Sequence, residues 1–309
     1  MKKASTAVVA GTAQKLEPRA FSRASTHRVA DYFALTKPRL NSLVVVTAGI
    51  GYYLGAGDRL NLGNLLQTVS GIALVAGGAA GLNQVYERDT DGMMWRTRSR
   101  PLPANRIGAP DAVTFSVALV VAGLALIALT SNLLAALLAL LTVISYNVVY
   151  TPMKRRSQLA TLVGAVPGAL PPMIGWVGAR GALTAEAWAL FAIVFVWQIP
   201  HFMAIAWLYR ADFGRAGFPL LPVVDPDGSS TARQAVLFSL ALIPVSLAPY
   251  FLGMSGPAYA VGAAAGGIGI LWLALSFASI RLDERARLLF LGSIVYLPLL
   301  WGMLVADRL

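Results

Sequence analysis

The sequence contains no cysteine, only two histidines and only 14 acidic residues among 309. Without cysteine, neither disulfide bonds nor thiolate metal ligands can contribute to its structure or chemistry. Charged residues make up 13% of the chain, which is too few to cover the surface of a soluble globular protein of this size. These absences exclude disulfide-stapled folds, zinc-thiolate sites and an ordinary soluble domain.

Hydrophobic residues, in contrast, make up 57% of the chain, and its mean hydropathy is +0.66. The apolar runs are about 20 residues long, enough for a helix to cross a hydrocarbon core of about 30 Å. The sequence therefore predicts an all-α polytopic membrane protein. Its nine transmembrane helices are expected near residues 41–57, 64–87, 110–130, 132–150, 158–178, 186–207, 233–253, 257–280 and 285–305.

The distribution of basic residues predicts the orientation in the membrane. With the N-terminus in the cytoplasm, all but three of the 25 lysines and arginines lie on the cytoplasmic side, the exceptions being Arg59, Arg180 and Arg308. Cytoplasmic loops retain such an excess of positive charge. The basic residues at the ends of the spans lie beside anionic lipid headgroups, which explains most of the net charge of +11. No nucleic-acid partner is therefore expected.

Residues 1–30 are polar, rich in Ala, Ser, Lys and Arg, and contain one acidic residue, Glu17. They lack the apolar core of a secretory signal. We predict a disordered cytoplasmic tail, with a short organellar transit peptide as the alternative, followed by a single membrane-embedded domain over residues 31–309.

The segment NQVYERDTDGMMWRTRSRPLP, residues 83–103, concentrates scarce charge at the end of the second span. Asn83, Glu87 and Asp91 recur every four residues and share one face of a continuing helix, whereas Asp89 points elsewhere. Oxygen ligands of this kind suit Mg²⁺, which takes one or two carboxylates and completes its shell with water and substrate phosphate. The spacing predicts a magnesium site.

Arginines follow directly, at positions 96, 98 and 100. A diphosphate can be bound by a metal ion on one side and by guanidinium groups on the other. Such a site requires acidic residues for the metal close to basic residues for the diphosphate. A solvated loop with surface salt bridges, which contribute little to stability, is the alternative.

Two further polar segments are expected on the same membrane face. YTPMKRR ends the fourth span with Lys154 and Arg155, and Asp212 follows the sixth span. The alternative is that the basic residues only set the topology, and that Asp212 only pairs with Arg210 or Arg215.

With these motifs, the chain resembles the UbiA-type intramembrane prenyltransferases, and within them the branch that farnesylates protohaem IX to haem O. The resemblance runs from Asp31 to Tyr296. It is carried by DYFALTKPRLNSLVVVTA, by residues 83–103, by YTPMKRR with GALPPMIGW, by WQIPHFMAIAWLYRADFGRAGFPLLP and by ARLLFLGSIVYLPLLW.

The resemblance implies a nine-helix bundle with a cavity open to the cytoplasm and laterally to lipid, in a bacterial plasma membrane. It implies a Mg²⁺-dependent transfer of farnesyl from farnesyl diphosphate to a vinyl group of haem B, with addition of water. Haem A synthase, which oxidises haem O, is the protein partner that it suggests.

The same resemblance implies roles for individual residues. The metal ligands are Asn83, Glu87 and Asp91. The diphosphate contacts are Arg96, Arg100, Lys154 and Arg155, and the catalytic groups are Asp91, Lys154 and Asp212, the last representing a second acidic motif.

Three aromatic or imidazole side chains are further candidates for substrate contact. The rings of Tyr146 and Tyr150 could shield an allylic carbocation, although tyrosine near a membrane interface is more often an anchor. His201, in a motif particular to the haem branch, could bind iron or another part of haem; the alternative is a neutral histidine hydrogen-bonded inside the bundle.

Three positions depart from the family pattern. Glu87 stands where the family often has aspartate. Its side chain is one methylene longer, so the resemblance does not fix the distance from its carboxylate to the metal. Leu208 lies four residues before Asp212, where the superfamily usually has a second aspartate, and Ala160 replaces an expected asparagine. The single carboxylate at Asp212 weakens the prediction of a complete second metal site.

Two other functions compete with haem farnesylation. A UbiA-type enzyme acting on an aromatic or quinone precursor would share the metal and diphosphate residues but not the IPHF and AGFPLLP segments. An ion-coupled transporter would place its acidic residues near the bilayer midplane, at broken helices.

Overall fold

The computed structural model describes residues 28–309, and within this range nine helices are long and apolar enough to cross a membrane. This confirms the predicted all-α architecture with nine spans. In chain order, α1 to α9 are Pro38–Ala56, Leu62–Tyr86, Ala109–Thr130, Leu133–Ile144, Ala160–Arg180, Ala185–Leu208, Ser229–Phe251, Pro257–Ile280 and Asp283–Ala306. The fourth span continues beyond α4 through a π-helical turn, Ser145–Tyr150, and a last helical turn, Thr151–Met153.

A short helix over residues 28–35 precedes the first span. Most of the predicted tail, residues 1–27, lies outside the described residues, whereas residues 28–30 belong to this helix. Its Asp31 carboxylate accepts hydrogen bonds at 3.0 and 3.1 Å from Nε of Arg106. Leu35 is fully buried against Leu102 and Ile107, so the helix packs on the loop that follows α2.

Close helix contacts in the bundle depend on glycine. A methyl group on Gly175 of α5 would overlap the Ala48 carbonyl of α1, and one on Gly78 of α2 would overlap the Ser116 carbonyl of α3. Small residues let helix backbones approach in lipid, where packing replaces the hydrophobic effect between helices. Helices α5 and α6 are the most buried of the nine spans and form the centre of the bundle.

Two long connections lie on one face of the bundle and contain short helices, namely Arg88–Met93, Arg210–Arg215 and Leu221–Val224. Met94 of the first connection packs with Phe213 and Phe218 of the second in a small apolar cluster. The polar segments after α2 and α6 therefore meet above the central helices. At the opposite face, Nη2 of Arg308 lies 3.2 Å from Oδ1 of Asp58, which links the ends of α9 and α1.

Candidate active site

A cavity of about 440 Å³ lies between α1, α2, the fourth span, α5 and α6, below the two long connections. Its outer part is lined by charged side chains and its inner part by small or apolar residues. The inner residues include Val44, Ala76, Pro167, Pro171 and Phe202. A pocket of this volume, mostly apolar with a few convergent polar groups, is typical of a small-molecule site.

The acidic stripe lies in the outer part of the cavity. Asn83 is in the last turn of α2, Glu87 is at the junction, and Asp91 is in the short helix that follows. The backbone continues the i→i+4 pattern across this junction, with Glu87 N bonded to Asn83 O at 2.9 Å and Asp91 N bonded to Glu87 O at 2.7 Å. All three side chains are buried and line the cavity, whereas the Asp89 side chain is 87% exposed.

Each member of the stripe contacts a basic side chain. Nη1 of Arg100 lies 2.6 Å from Oδ2 of Asp91, and Nζ of Lys154 lies 3.0 Å from Oε1 of Glu87. Buried ion pairs contribute little net stability because both charges must leave water. Two such pairs at the mouth of a cavity are therefore poorly explained by folding, and they favour a functional site over a solvated loop.

Arg96 also lines the cavity, with its guanidinium 5.1 Å from the ring centre of Tyr209 and 5.9 Å from that of Phe213. These aromatic faces orient the guanidinium without neutralising it. Arg98 instead lies over the exposed ring of Trp95, outside the cavity.

Tyr146 and Tyr150 lie on the π-helical turn and face the cavity together. Their rings are stacked, with centroids 5.6 Å apart and an interplanar angle of 22°. A β-carbon on Gly164 of α5 would meet the ring of Tyr150 at 2.5 Å, so this glycine leaves the space that the ring occupies. Single π-helical turns within α-helices occur often at functional sites.

Three residues predicted from the sequence do not line the cavity. Arg155 is exposed, one position after Lys154 and rotated away from it. Asp212 forms an ion pair with Arg215, in agreement with the structural alternative. Nδ1 of His201 lies 2.8 Å from Oγ of Ser293, and its imidazole ring stacks on Trp197.

Lys37 and Gln198 are among the polar residues that line the cavity and received no role from the sequence. Nζ of Lys37 donates to Oδ1 of Asn83 at 2.8 Å, and burial, with Arg100 as the next cause, lowers the pKa of Lys37 to about 7. Gln198 of α6 lies deeper. Both occur in the family-like segments quoted above, but their spacing along the chain does not reveal their positions in the cavity.

The residues of the stripe fit a magnesium ion. No group of three or more His, Cys, Asp or Glu side chains with metal-binding geometry occurs within residues 28–309. Mg²⁺, however, requires only one or two carboxylates when substrate and water supply the remaining oxygens. Oδ1 of Asp91 is buried and has no hydrogen-bond partner among the described residues, which leaves it available to a cation.

Comparison with known proteins identifies the family of this chain. The profile of the UbiA prenyltransferase family matches residues 44–294. A protoheme IX farnesyltransferase of Solibacter usitatus is 49% identical over 287 residues, covering 90% of this chain and 98% of that protein. A protoheme IX farnesyltransferase of Opitutus terrae is 45% identical over 287 residues, covering 93% and 97%.

Solved structures show the same fold at low sequence identity. A structure described for digeranylgeranylglyceryl phosphate synthase matches with a TM-score of 0.77 at 16% identity, covering 91% of this chain and 98% of that one. A UbiA homolog from Archaeoglobus fulgidus, bound to GPP and Mg²⁺, matches with a TM-score of 0.62 at 15% identity, covering 89% and 99%. The chain therefore belongs to the UbiA prenyltransferase family.

Proposed function

We propose that this chain transfers the farnesyl group of farnesyl diphosphate to a vinyl group of haem B, with addition of water, to give haem O. The family match and the names of two relatives with 49% and 45% identity over nearly their full length support this reaction. The observation that carries it is the juxtaposition of acidic stripe and basic side chains at the mouth of an otherwise apolar cavity.

The basic side chains of the cavity would hold the diphosphate. Arg100 and Lys154 now contact Asp91 and Glu87, and they face the same space as Arg96 and Lys37. An incoming diphosphate offers these cations more negative charge than the carboxylates do, which favours an exchange of partners. Such preorganised cations stabilise charge as it develops on a leaving group.

Asn83, Glu87 and Asp91 would hold Mg²⁺. The unpaired Oδ1 of Asp91 supports this assignment, since a buried carboxylate oxygen requires a partner. When bound, the ion supplies Lewis-acid stabilisation of the departing diphosphate oxygens. Arg155, Asp212 and His201 keep their predicted roles only as hypotheses, because none of them lines the cavity as it stands.

The inner part of the cavity suits the carbon chemistry. The bond between the allylic carbon and the diphosphate oxygen breaks, and its electrons leave with the diphosphate. The vinyl π electrons of haem B then form the new carbon–carbon bond. The stacked rings of Tyr146 and Tyr150 present π faces to a cation at this point, and the apolar walls exclude bulk water.

The mouth of the cavity would face the cytoplasm of a bacterial cell. Both long connections lie at this face, and Arg308 lies at the opposite one, as the charge asymmetry predicts. Haem B and farnesyl diphosphate would both enter from the cytoplasm or the surrounding lipid. Haem A synthase, which would consume haem O, remains the candidate protein partner.

The test is an assay of purified protein with farnesyl diphosphate, Mg²⁺ and either haem B or an aromatic acceptor such as 4-hydroxybenzoate. We expect haem O, identified by mass, with the first acceptor and no prenylated product with the second. A prenylated hydroxybenzoate would assign the chain to the competing branch. Hydrolysis to farnesol alone, with haem B unchanged, would contradict the acceptor.

A further inference from the structure

Gln198 carries an amide at the inner part of the cavity, where the surrounding walls are apolar. The residue is only 5% exposed, and its side chain lines the cavity. Its Nε2 donates to the carbonyl oxygens of Ala165 at 3.2 Å and Val194 at 3.0 Å. An amide nitrogen has two hydrogens, so both are used and the orientation of the amide is fixed.

The amide oxygen is left without a donor. No side chain or backbone group within residues 28–309 donates a hydrogen bond to Oε1 of Gln198. The oxygen lies against Gly168 of α5, where any β-carbon would overlap it. An acceptor that faces a cavity and has no donor in the protein is expected to accept a hydrogen bond from a molecule in the cavity when the site is in use.

Two glycines of α5 show where Oε1 of Gln198 lies relative to Tyr150. Gly164 lies against the ring of Tyr150, and Gly168 lies against Oε1 of Gln198. Four helical residues correspond to a rise of about 6 Å, so the acceptor is about one turn deeper than the ring of Tyr150. It therefore lies beside the region in which the allylic cation and the vinyl group would meet.

Neither substrate supplies the missing donor. Farnesyl and vinyl groups have no O–H or N–H, and ionised propionates of haem accept hydrogen bonds but do not donate them. Water does donate, and the proposed reaction consumes one water molecule. We propose that Gln198 binds the water molecule that adds to the farnesylated vinyl group, an inference that rests on the proposed function.

Formation of the carbon–carbon bond leaves a cation on the vinyl carbon next to the porphyrin. A lone pair of the bound water forms the new carbon–oxygen bond while the water still donates a hydrogen bond to Oε1 of Gln198. The proton then lost from oxygen passes to the diphosphate released in the same cavity. Without a bound water, the cation instead loses a proton from the neighbouring carbon, and the product is an alkene lighter by one water.

The test compares the products of wild type, Gln198→Met and Gly168→Ala, each assayed with haem B, farnesyl diphosphate and Mg²⁺ in water labelled with heavy oxygen. The methionine removes the acceptor at similar length, and the alanine methyl displaces the native amide. We expect labelled haem O from wild type. In both variants the hydrated share of farnesylated product should fall roughly tenfold or more, in favour of the alkene, because an unheld water loses the advantage of orientation.

The matched control is Gln84→Met. Gln84 is also a buried glutamine, donates to the carbonyl of Leu35 at 2.7 Å and does not line the cavity, so its loss should leave the product ratio unchanged. Haem O as the sole product of Gln198→Met would overturn the role of Gln198. If Gln198→Met makes no farnesylated haem, the products of Gly168→Ala provide the test. An unchanged hydrated share of the farnesylated product in Gly168→Ala would overturn the role of Gln198. Failure of wild type to farnesylate haem B would instead refute the proposed function.

Discussion

The hydroxyl of Thr151 determines which atom of the Asn83 amide faces the cavity. It donates its hydrogen to the carbonyl oxygen of Tyr146 at 2.7 Å, so towards Asn83 it can only accept, and it does so from Nδ2 at 3.1 Å. The Oδ1 atom of Asn83 is thereby turned towards Lys37 and the proposed metal site. The end of the fourth span thus orients a proposed metal ligand that belongs to α2.

Replacing Thr151 with valine should free the Asn83 amide to rotate. The substitution keeps the shape of the side chain but removes both hydrogen bonds of the hydroxyl, each worth about 1 kcal/mol, and leaves Nδ2 of Asn83 without its partner. We expect the Mg²⁺ concentration for half-maximal farnesyl transfer to rise, with a smaller loss of the maximal rate. Thr151→Ser, which retains the hydroxyl, is the control, and equal Mg²⁺ dependence of the two variants would disprove this positioning role.

Removing the cations that face the diphosphate should slow turnover. Lys154→Ala and Arg100→Ala each remove a group that would stabilise the leaving group, and loss of one such donor costs roughly 10²–10³-fold in rate. Steady-state assays of the purified variants measure this loss. The thermal unfolding of each variant should be measured alongside its activity, because each substitution leaves a buried carboxylate unpaired.

Arg156→Ala is the control for these cations, because Arg156 is exposed and does not line the cavity. It should retain wild-type turnover. If Lys154→Ala and Arg100→Ala were as active as Arg156→Ala, these basic residues would act only in setting the topology.

The orientation can be tested directly because the chain has no native cysteine. Ser99→Cys and Gly214→Cys place single thiols on the two long connections, and Ala182→Cys places one between α5 and α6 at the opposite face; all three positions are exposed. In intact cells, an impermeant thiol reagent should label only Ala182→Cys. Labelling of the other two without cell disruption would reverse the proposed topology.

The sequence predicts some parts of this structure well because they depend on local periodicity. Nine apolar runs predict nine spans, and the spacing of Asn83, Glu87 and Asp91 predicts a shared face, since both follow from the geometry of one helix. The contact between Lys37 and Asn83 joins residues 46 positions apart, and that between Gln198 and Ala165 joins residues 33 apart. Such contacts depend on how the helices pack.

The sequence also does not reveal how each helix is rotated about its own axis in the bundle. His201 and Phe202 are adjacent in α6, yet Phe202 lines the cavity whereas His201 packs on Trp197 and Ser293. Motif membership places both near the site but does not decide which of them faces the substrate. Lys154 and Arg155 differ in the same way.

The acidic stripe predicts a graded response to changes in its carboxylates. Glu87→Asp retains the charge but shortens the reach, so it should lower farnesyl transfer less than Asp91→Asn, which removes the charge that would hold the metal. Raising the Mg²⁺ concentration should partly restore a variant whose defect is weak metal binding. Equal losses in the two variants, without rescue by Mg²⁺, would indicate misfolding instead.

In the proposed reaction, a metal ion held by the acidic stripe enables diphosphate to leave. The most direct measurement is farnesyl transfer to haem B by wild type, Asp91→Asn and Asp89→Asn, each with Mg²⁺ and after chelation of divalent metal. We expect chelation to abolish transfer in wild type, Asp91→Asn to lose roughly 10²–10³-fold, and the exposed Asp89→Asn to remain near wild type. Transfer that survives chelation, or an Asp89→Asn variant as impaired as Asp91→Asn, would contradict a catalytic metal site at the acidic stripe.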